Sequence, residues 1–127
     1  MAAEHILVVD DTEMNLKLLT VLLSARGYQV QSATSAEEAV PLLGATDFAC
    51  LLLDLSLPGM DGLTLARQLR RDSSYDELVI IAVTANAMKG DMEAALAAGC
   101  NAYVTKPIDT RTFPALVAEE IAKKRAS

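Results

Sequence analysis

The sequence predicts an α/β protein built on an open, doubly wound parallel sheet. Short runs rich in Val, Ile and Leu recur five times, and longer stretches with helical spacing separate them. Several of these runs are apolar throughout rather than alternating, as strands covered on both faces are. Five βα units fall short of the eight that close a barrel of about 250 residues, and parallel strands joined by helices take right-handed crossovers.

The first apolar run is His5 to Val9, followed by a helical stretch from Glu13 to Arg26. In that stretch Glu13, Lys17, Thr20 and Ser24 form one polar stripe. Met14, Leu16, Leu18, Leu19, Val21, Leu22, Leu23 and Ala25 fill an apolar arc wider than one sheet face needs. Asp11 or Thr12 is placed to cap its start, and Arg26-Gly27 ends it with a cation and a residue suited to a left-handed turn. The second strand is Gln29 to Ala33. The helix from Ala36 to Leu43 opens with Ser35 and Glu38 in capping-box spacing. Pro41 falls where that helix still needs backbone donors, so a kinked or short helix is expected.

Phe48 to Leu53, Leu78 to Val83 and Ala102 to Thr105 supply the remaining strands, and Leu63 to Arg71, Met88 to Ala98 and Thr110 to Lys124 the remaining helices. The fourth helix is expected to bury Met88, Met92, Ala95 and Leu96. The fifth carries Phe113, Leu116, Val117 and Ile121 on one face. No repeat, low-complexity tract or linker interrupts the series, so residues 1–127 read as a single domain.

Composition narrows the function. Hydrophobic residues make up 52% of the chain and charged residues 22%, enough apolar surface to fold without disulfides and too much for a disordered segment. Eleven Lys and Arg against 17 Asp and Glu leave a net charge of −6. The longest basic run is the tail Lys123, Lys124 and Arg125, and no basic stripe of the kind a nucleic-acid binder carries runs through the chain. Aromatics are 4% with no Trp, so stacking platforms for bases are scarce. Cys50 and Cys100 have neither disulfide nor metal-ligand spacing and are expected to be small buried apolar groups. No apolar run reaches the length of a membrane span, and Met1 to Val9 lacks the marks of a signal peptide, so a cytoplasmic location is expected.

In doubly wound sheets ligands sit beyond the carboxyl ends of the strands, and there the unusual polar residues fall. Asp10 and Asp11 close the first run, Asp54 the third, Thr84 the fourth, and Lys106 with Pro107 the fifth. Three carboxylates meeting at one sheet edge repel one another until a cation offsets them. Oxygen ligands, with the single histidine His5 elsewhere, suit Mg²⁺ better than zinc. Lys106 adds a fixed positive charge. Asp54 emerges from Leu51-Leu52-Leu53 in a setting suited to attack on phosphorus. The metal and Lys106 would balance the phosphoryl oxygens, and Thr84 could donate its hydroxyl to one of them. Singly, each residue has an ordinary role: a cap for Asp11, a solvated lysine, a strand-end hydroxyl for Thr84, a half-buried aromatic for Tyr103. Their coincidence at four strand ends points to chemistry. His5 reads as a strand residue without a chemical role, and Met14, Met60, Met88 and Met92 as packing or contact residues.

Four motifs carry a resemblance: Val8-Val9-Asp10-Asp11, Leu53-Asp54-Leu55-Ser56-Leu57-Pro58-Gly59-Met60-Asp61-Gly62, Val83-Thr84-Ala85 and Tyr103-Val104-Thr105-Lys106-Pro107. Together they resemble the CheY-like receiver domain of bacterial two-component response regulators over essentially the whole chain. The resemblance implies the flavodoxin-like strand order 2-1-3-4-5. It implies Mg²⁺-dependent transfer of a phosphoryl group from a histidine kinase or histidine phosphotransfer protein to Asp54, and later hydrolysis. It assigns Asp10, Asp11, Asp54 and the backbone carbonyl of Ser56 to the metal, Thr84 and Lys106 to the phosphoryl group, and Thr84 with Tyr103 to the switch. It also implies a cis peptide between Lys106 and Pro107.

Asn15 and the stretch from Thr84 to Asp91 resemble receivers attached to hybrid histidine kinases and stand-alone regulators of the DivK type. As the chain ends at Ser127 just past the fifth helix, output is expected through contacts of a downstream protein with the fourth helix, fifth strand and fifth helix, without DNA or membrane binding. A receiver module excised from a hybrid kinase is the alternative. Phosphoryl donors are expected to dock on Met14, Leu18, Pro107 and Ile108, because the first helix has more apolar surface than the sheet can cover.

Other classes fit less well. A Mg²⁺-dependent phosphatase with an aspartyl nucleophile would carry a second Asp as general acid where Ser56 stands. A flavin carrier of the same fold would need a neutral or glycine-rich first loop in place of Asp10-Asp11-Thr12. A degenerate receiver kept as a scaffold would not retain the acidic set. The chain reads as a signalling switch rather than an enzyme.

Overall fold

The structure is a computed structural model that describes residues 4–55, 62–85 and 91–126. Strands β1 (His5–Val9), β2 (Gln29–Ala33), β3 (Cys50–Asp54), β4 (Val79–Thr84) and β5 (Ala102–Thr105) form one parallel sheet in the order β2-β1-β3-β4-β5. The helices are α1 (Glu13–Ser24), α2 (Ala36–Ala45), α3 (Gly62–Arg70), α4 (Asp91–Ala97) and α5 (Phe113–Ala126), with a 3₁₀ turn at Ser73–Tyr75. This is the flavodoxin-like arrangement expected.

The alternation of side chains along each strand divides the core in two. Leu7, Val9, Leu51, Leu53, Ile80 and Ala82 face α2, α3 and α4, where they meet Ala36, Ala39, Leu43, Leu65, Ala66, Leu69 and Ala95. Ile6, Val8, Cys50, Leu52, Val79 and Ile81 face α1 and α5, against Leu16, Leu19, Leu23, Phe113, Val117 and Ile121. Every residue of β3 and β4 is buried, which is why those runs are apolar throughout. Each fully buried Leu or Ile stabilises the fold by about 1.5–3 kcal/mol relative to exposure. The central strands are therefore the rigid frame from which the polar ends project.

Several elements differ from their sequence expectation. β3 and β4 begin and end slightly later than the apolar runs, so Asp54 and Thr84 are the last residues of their strands rather than the first after them. α1 stops at Ser24, where the amides of Arg26 and Tyr28 both turn back to the Leu23 carbonyl. Gly27 then takes φ +91°, a conformation open to glycine. Thr12 is the N-cap but makes no side-chain capping bond. α2 continues through Pro41 to Ala45 instead of ending at Leu43. Both Pro41 and Glu37 are exposed, so the one helical bond a proline forfeits lies on the solvent side, where water can replace it. The Ser35 hydroxyl accepts from the Glu38 amide at 3.1 Å and starts the helix as the capping box requires.

In α4, Met92 and Leu96 are 51% and 47% exposed, whereas Ala95 and nearby Ala98 are buried. The small residues face the sheet because they let the helix approach closely, and the larger apolar side chains turn outward. Met88 lies outside the described residues. Arg70, at the end of α3, donates to the carbonyls of Gly99 (2.8 Å) and Tyr75 (2.9 Å) and to Asn101 Oδ1 (2.7 Å), which also accepts from the Ile80 amide (2.8 Å). This clamp joins α3, the 3₁₀ turn and the start of β5.

Candidate functional site

Backbone hydrogen bonds fix where each polar residue leaves the sheet. The Asp10 amide donates to the Ala33 carbonyl at 3.1 Å, so β2 holds the end of β1. Asp54 lies opposite Val83 in register, and the Leu55 amide extends that ladder by donating to the Val83 carbonyl at 3.0 Å. The Lys106 amide donates to the Thr84 carbonyl at 2.8 Å. α3 starts very close to Asp54. A Cβ on Gly62 would stand 2.8 Å from the Asp54 carbonyl oxygen and 3.0 Å from Leu55 Cδ2, so only glycine permits this approach.

Asp10, Asp11 and Asp54 each present a carboxylate oxygen, all within 4.8 Å of one another. Asp10 and Asp54 are each 2% exposed, and Asp11 is open to solvent. Lys106 Nζ donates to Asp10 Oδ2 at 3.0 Å and to Asp54 Oδ2 at 3.2 Å. Burial works against the charge of Lys106, but its hydrogen bonds and attraction to the two acids outweigh that, so its pKa lies above the ordinary lysine value. Asp10 Oδ1 accepts from the Thr12 amide at 2.8 Å, and Oδ2 also accepts from Asn15 Nδ2 at 3.3 Å.

The donor set suits a hard divalent ion. Three carboxylates against one ammonium leave two negative charges, and all three side chains offer oxygen rather than nitrogen or sulfur. Among the described residues no other group of three His, Cys, Asp or Glu side chains lies within ligating reach.

The other described residues of the expected set lie on α1, on β4, and on β5 and the segment after it. Thr84 is buried at 3% exposure, level with Thr105 of β5. Tyr103 lies opposite Ala82, half-buried against the core beneath α2, α3 and α4. The Lys106–Pro107 peptide is cis. A cavity of about 400 Å³ opens beside the lysine, lined by Asn15, Leu18, Lys106, Pro107 and Ile108. Met14 and Leu18 are 77% and 39% exposed, so the wide apolar arc of α1 does reach solvent. Ser56 and Met60 lie outside the described residues. Cys50 and Cys100 are buried and unpaired with each other. His5 sits edge-on to Phe48 and away from the acids.

Sequence reasoning gave no role to Gly62 and noted Asn15 only as part of a resemblance. The signal for Gly62 was a glycine just ahead of the third helical stretch, eight residues after Asp54. For Asn15 it was the third helical position, from which a side chain can reach back past the cap.

A family model described as the response regulator receiver domain matches residues 6–118. The polar-differentiation response regulator DivK of Brucella ovis is 38% identical over 110 residues, covering 87% of this chain and 89% of that protein. Among solved structures, a CheY-like receiver domain protein from Methanospirillum hungatei superposes with a TM-score of 0.88 at 27% identity, covering 98% of both chains. The signal receiver domain of a histidine kinase from Syntrophus aciditrophicus gives 0.89 at 26% identity, covering 98% of this chain and 95% of that one.

Proposed function

The chain belongs to the family of response regulator receiver domains, and on that footing we propose that it is a switch driven by phosphorylation of Asp54. The observation that carries this reading is the bridge of Lys106 between Asp10 and Asp54, with Asp11 beside them.

An Asp54 carboxylate oxygen attacks the phosphorus of a phosphohistidine. The O–P bond forms as the N–P bond breaks, and the departing imidazole keeps the electron pair and takes a proton. Lys106 follows the charge to the phosphoryl oxygens, and Thr84 donates its hydroxyl to one of them. In the return reaction water attacks phosphorus, Asp54 leaves as a carboxylate, and inorganic phosphate is released. Asp10, Asp11, Asp54 and the backbone carbonyl of Ser56 would hold Mg²⁺, which when bound neutralises phosphoryl charge. The chain is spent as substrate and restored by hydrolysis, so its role is signalling rather than turnover.

The cavity beside Lys106, with Met14, Leu18, Pro107 and Ile108, supports docking of a histidine kinase or phosphotransfer protein there. Exposed Met92 and Leu96 support a downstream protein contact around α4, β5 and α5. Residues 1–127 then act as one receiver unit in the cytoplasm, a location in keeping with two unpaired thiols and the absence, among the described residues, of a helix long and apolar enough to cross a membrane. A second reading, a receiver module of a hybrid kinase, is favoured by the similarity to the Syntrophus kinase receiver.

Intact mass after acetyl phosphate and Mg²⁺ tests the proposal. One added phosphoryl group in the parent and none in Asp54→Asn is expected. Label persisting in Asp54→Asn, or mapping to a serine, would overturn it.

A further inference from the structure

We infer that Asn15 is a positioning residue of the acidic site, holding the Asp10 carboxylate and thereby setting the affinity for Mg²⁺. The inference rests on the reading of that site as a Mg²⁺ centre and extends it to a side chain with no ligand of its own.

The start of α1 is wired in an unusual way. Helix starts commonly satisfy their amides reciprocally: the cap side chain bonds the amide of the third helical residue, whose side chain reaches back to the cap amide. Here Thr12 is the cap and makes no side-chain capping bond. Its amide donates instead to Asp10 Oδ1 at 2.8 Å. Asn15, the third helical residue, reaches back past the cap to Asp10 Oδ2 at 3.3 Å. The cap amide and the side chain of the third helical residue, which would pair with each other in the reciprocal arrangement, are thus both diverted onto one acid, one to each oxygen, and together they fix the plane of its carboxylate. Asp10 is 2% exposed, so water has little part in orienting it.

Asp10 Oδ2 also accepts from Lys106 Nζ, which is shared with Asp54. The lysine is a flexible arm, and phosphorylation draws it toward new oxygens. Asn15 is the side-chain donor that stays. An amide holds the oxygen without adding positive charge, so the two net negative charges that favour a divalent ion are preserved. A lysine or arginine at this position would orient the acid but cancel part of that charge. Hydrogen-bond partners of ligating carboxylates commonly change metal affinity or activity by about 10- to 100-fold when removed. The Asn15 bond is long, which places its effect at the lower end.

The bland alternative is that Asn15 only lines the cavity beside Lys106. Asn15→Ala and Asn15→Leu separate the two, since Leu keeps the volume and neither can donate. Both are better helix formers than asparagine, so α1 should persist and the melting temperature in EDTA should stay near that of the parent. Titration of the full chain with Mg²⁺ alone, followed by calorimetry, should show the dissociation constant raised by about tenfold in both variants. Labelling by acetyl phosphate should slow at low Mg²⁺ and return at saturating Mg²⁺. Parent-like Mg²⁺ affinity in either folded variant, or a labelling defect that saturating Mg²⁺ does not repair, overturns the assignment. A parent that binds Mg²⁺ but takes no phosphoryl group would sink the switch reading alone, leaving the titration to decide on Asn15. A parent that binds no Mg²⁺ would overturn the metal reading and the Asn15 assignment together.

Discussion

Lys106 Nζ lies 3.2 Å from Asp54 Oδ2 although 52 residues separate the two in the chain. The fold brings a cation from just past the last strand against an acid at the end of the central one. Without it, two buried carboxylates would face each other across a low-dielectric edge.

Lys106→Met should therefore destabilise the metal-free protein. Removing one partner from a buried pair costs about 3–5 kcal/mol. Lys106 keeps some contact with solvent, its side chain being 19% exposed, so a loss of roughly 1–3 kcal/mol in urea unfolding is expected. The pH dependence has a definite sign. The folded pKa is raised above the ordinary 10.5, so the lysine's contribution is complete below that value and fades as pH rises through the folded one. The gap between parent and variant should hold through neutral pH and close only in strong alkali. A gap that closes below about pH 9, well under the ordinary lysine value, would contradict this.

If the acids hold Mg²⁺ as proposed, it should raise the melting temperature, because it would bind their folded arrangement and not the unfolded chain. At about a hundred times its dissociation constant it would add roughly 2.7 kcal/mol. Asp11 is exposed, so Asp11→Ala should change the metal-free stability little and remove most of the Mg²⁺ shift. Retention of the whole shift would mean that Asp11 is not a ligand.

Met14→Lys should slow phosphoryl transfer from a cognate kinase or phosphotransfer protein and leave labelling by acetyl phosphate unchanged. Its side chain is 77% exposed, and surface changes of this kind usually alter stability by less than about 0.5 kcal/mol. Unchanged transfer at unchanged stability would remove α1 from the docking surface.

Beryllofluoride, a stand-in for the phosphoryl group, should shift NMR signals well beyond the residues it touches. Drawing the Thr84 hydroxyl inward frees space beside β4, and Tyr103 on the neighbouring strand is large enough to enter it. The ligand can shift the population only by the difference in its contacts between the two states, so a partly populated active form is expected before it is added. Changes confined to the immediate site, with none at Tyr103 or along α4, would leave the switch unsupported.

The sheet was legible because β3 and β4 are buried on both faces, and burial writes itself as an unbroken apolar run. The acids and Lys106 were legible because strand ends in such a fold converge, so chain position alone brings them together. What the sequence concealed depended on which way a helix turns. In α4 the widest apolar face includes Met92 and Leu96, yet close packing favoured the alanines, and periodicity cannot weigh side-chain size against approach distance. Pro41 misled for a related reason: a proline on the solvent side costs a helix far less than one facing the core. The diversion of the α1 cap to Asp10 and the Arg70 clamp were hidden because each joins groups whose proximity exists only after folding.

β5 is an edge strand of four residues, bonded to β4 alone and nowhere fully buried. Lys106 is its immediate extension. The acids beside it stand just past the end of β1 and at the end of β3, strands that are paired on both sides. Edge elements open at a lower free energy than core strands and do so far more often. On the proposed role of Lys106, a fraying of β5 would withdraw the ammonium while leaving the carboxylates in place, and would switch off chemical competence within a molecule that remains folded. Amide exchange along Ala102 to Thr105 would then report the fraction of molecules in which the proposed site is complete, a quantity distinct from the stability of the fold itself.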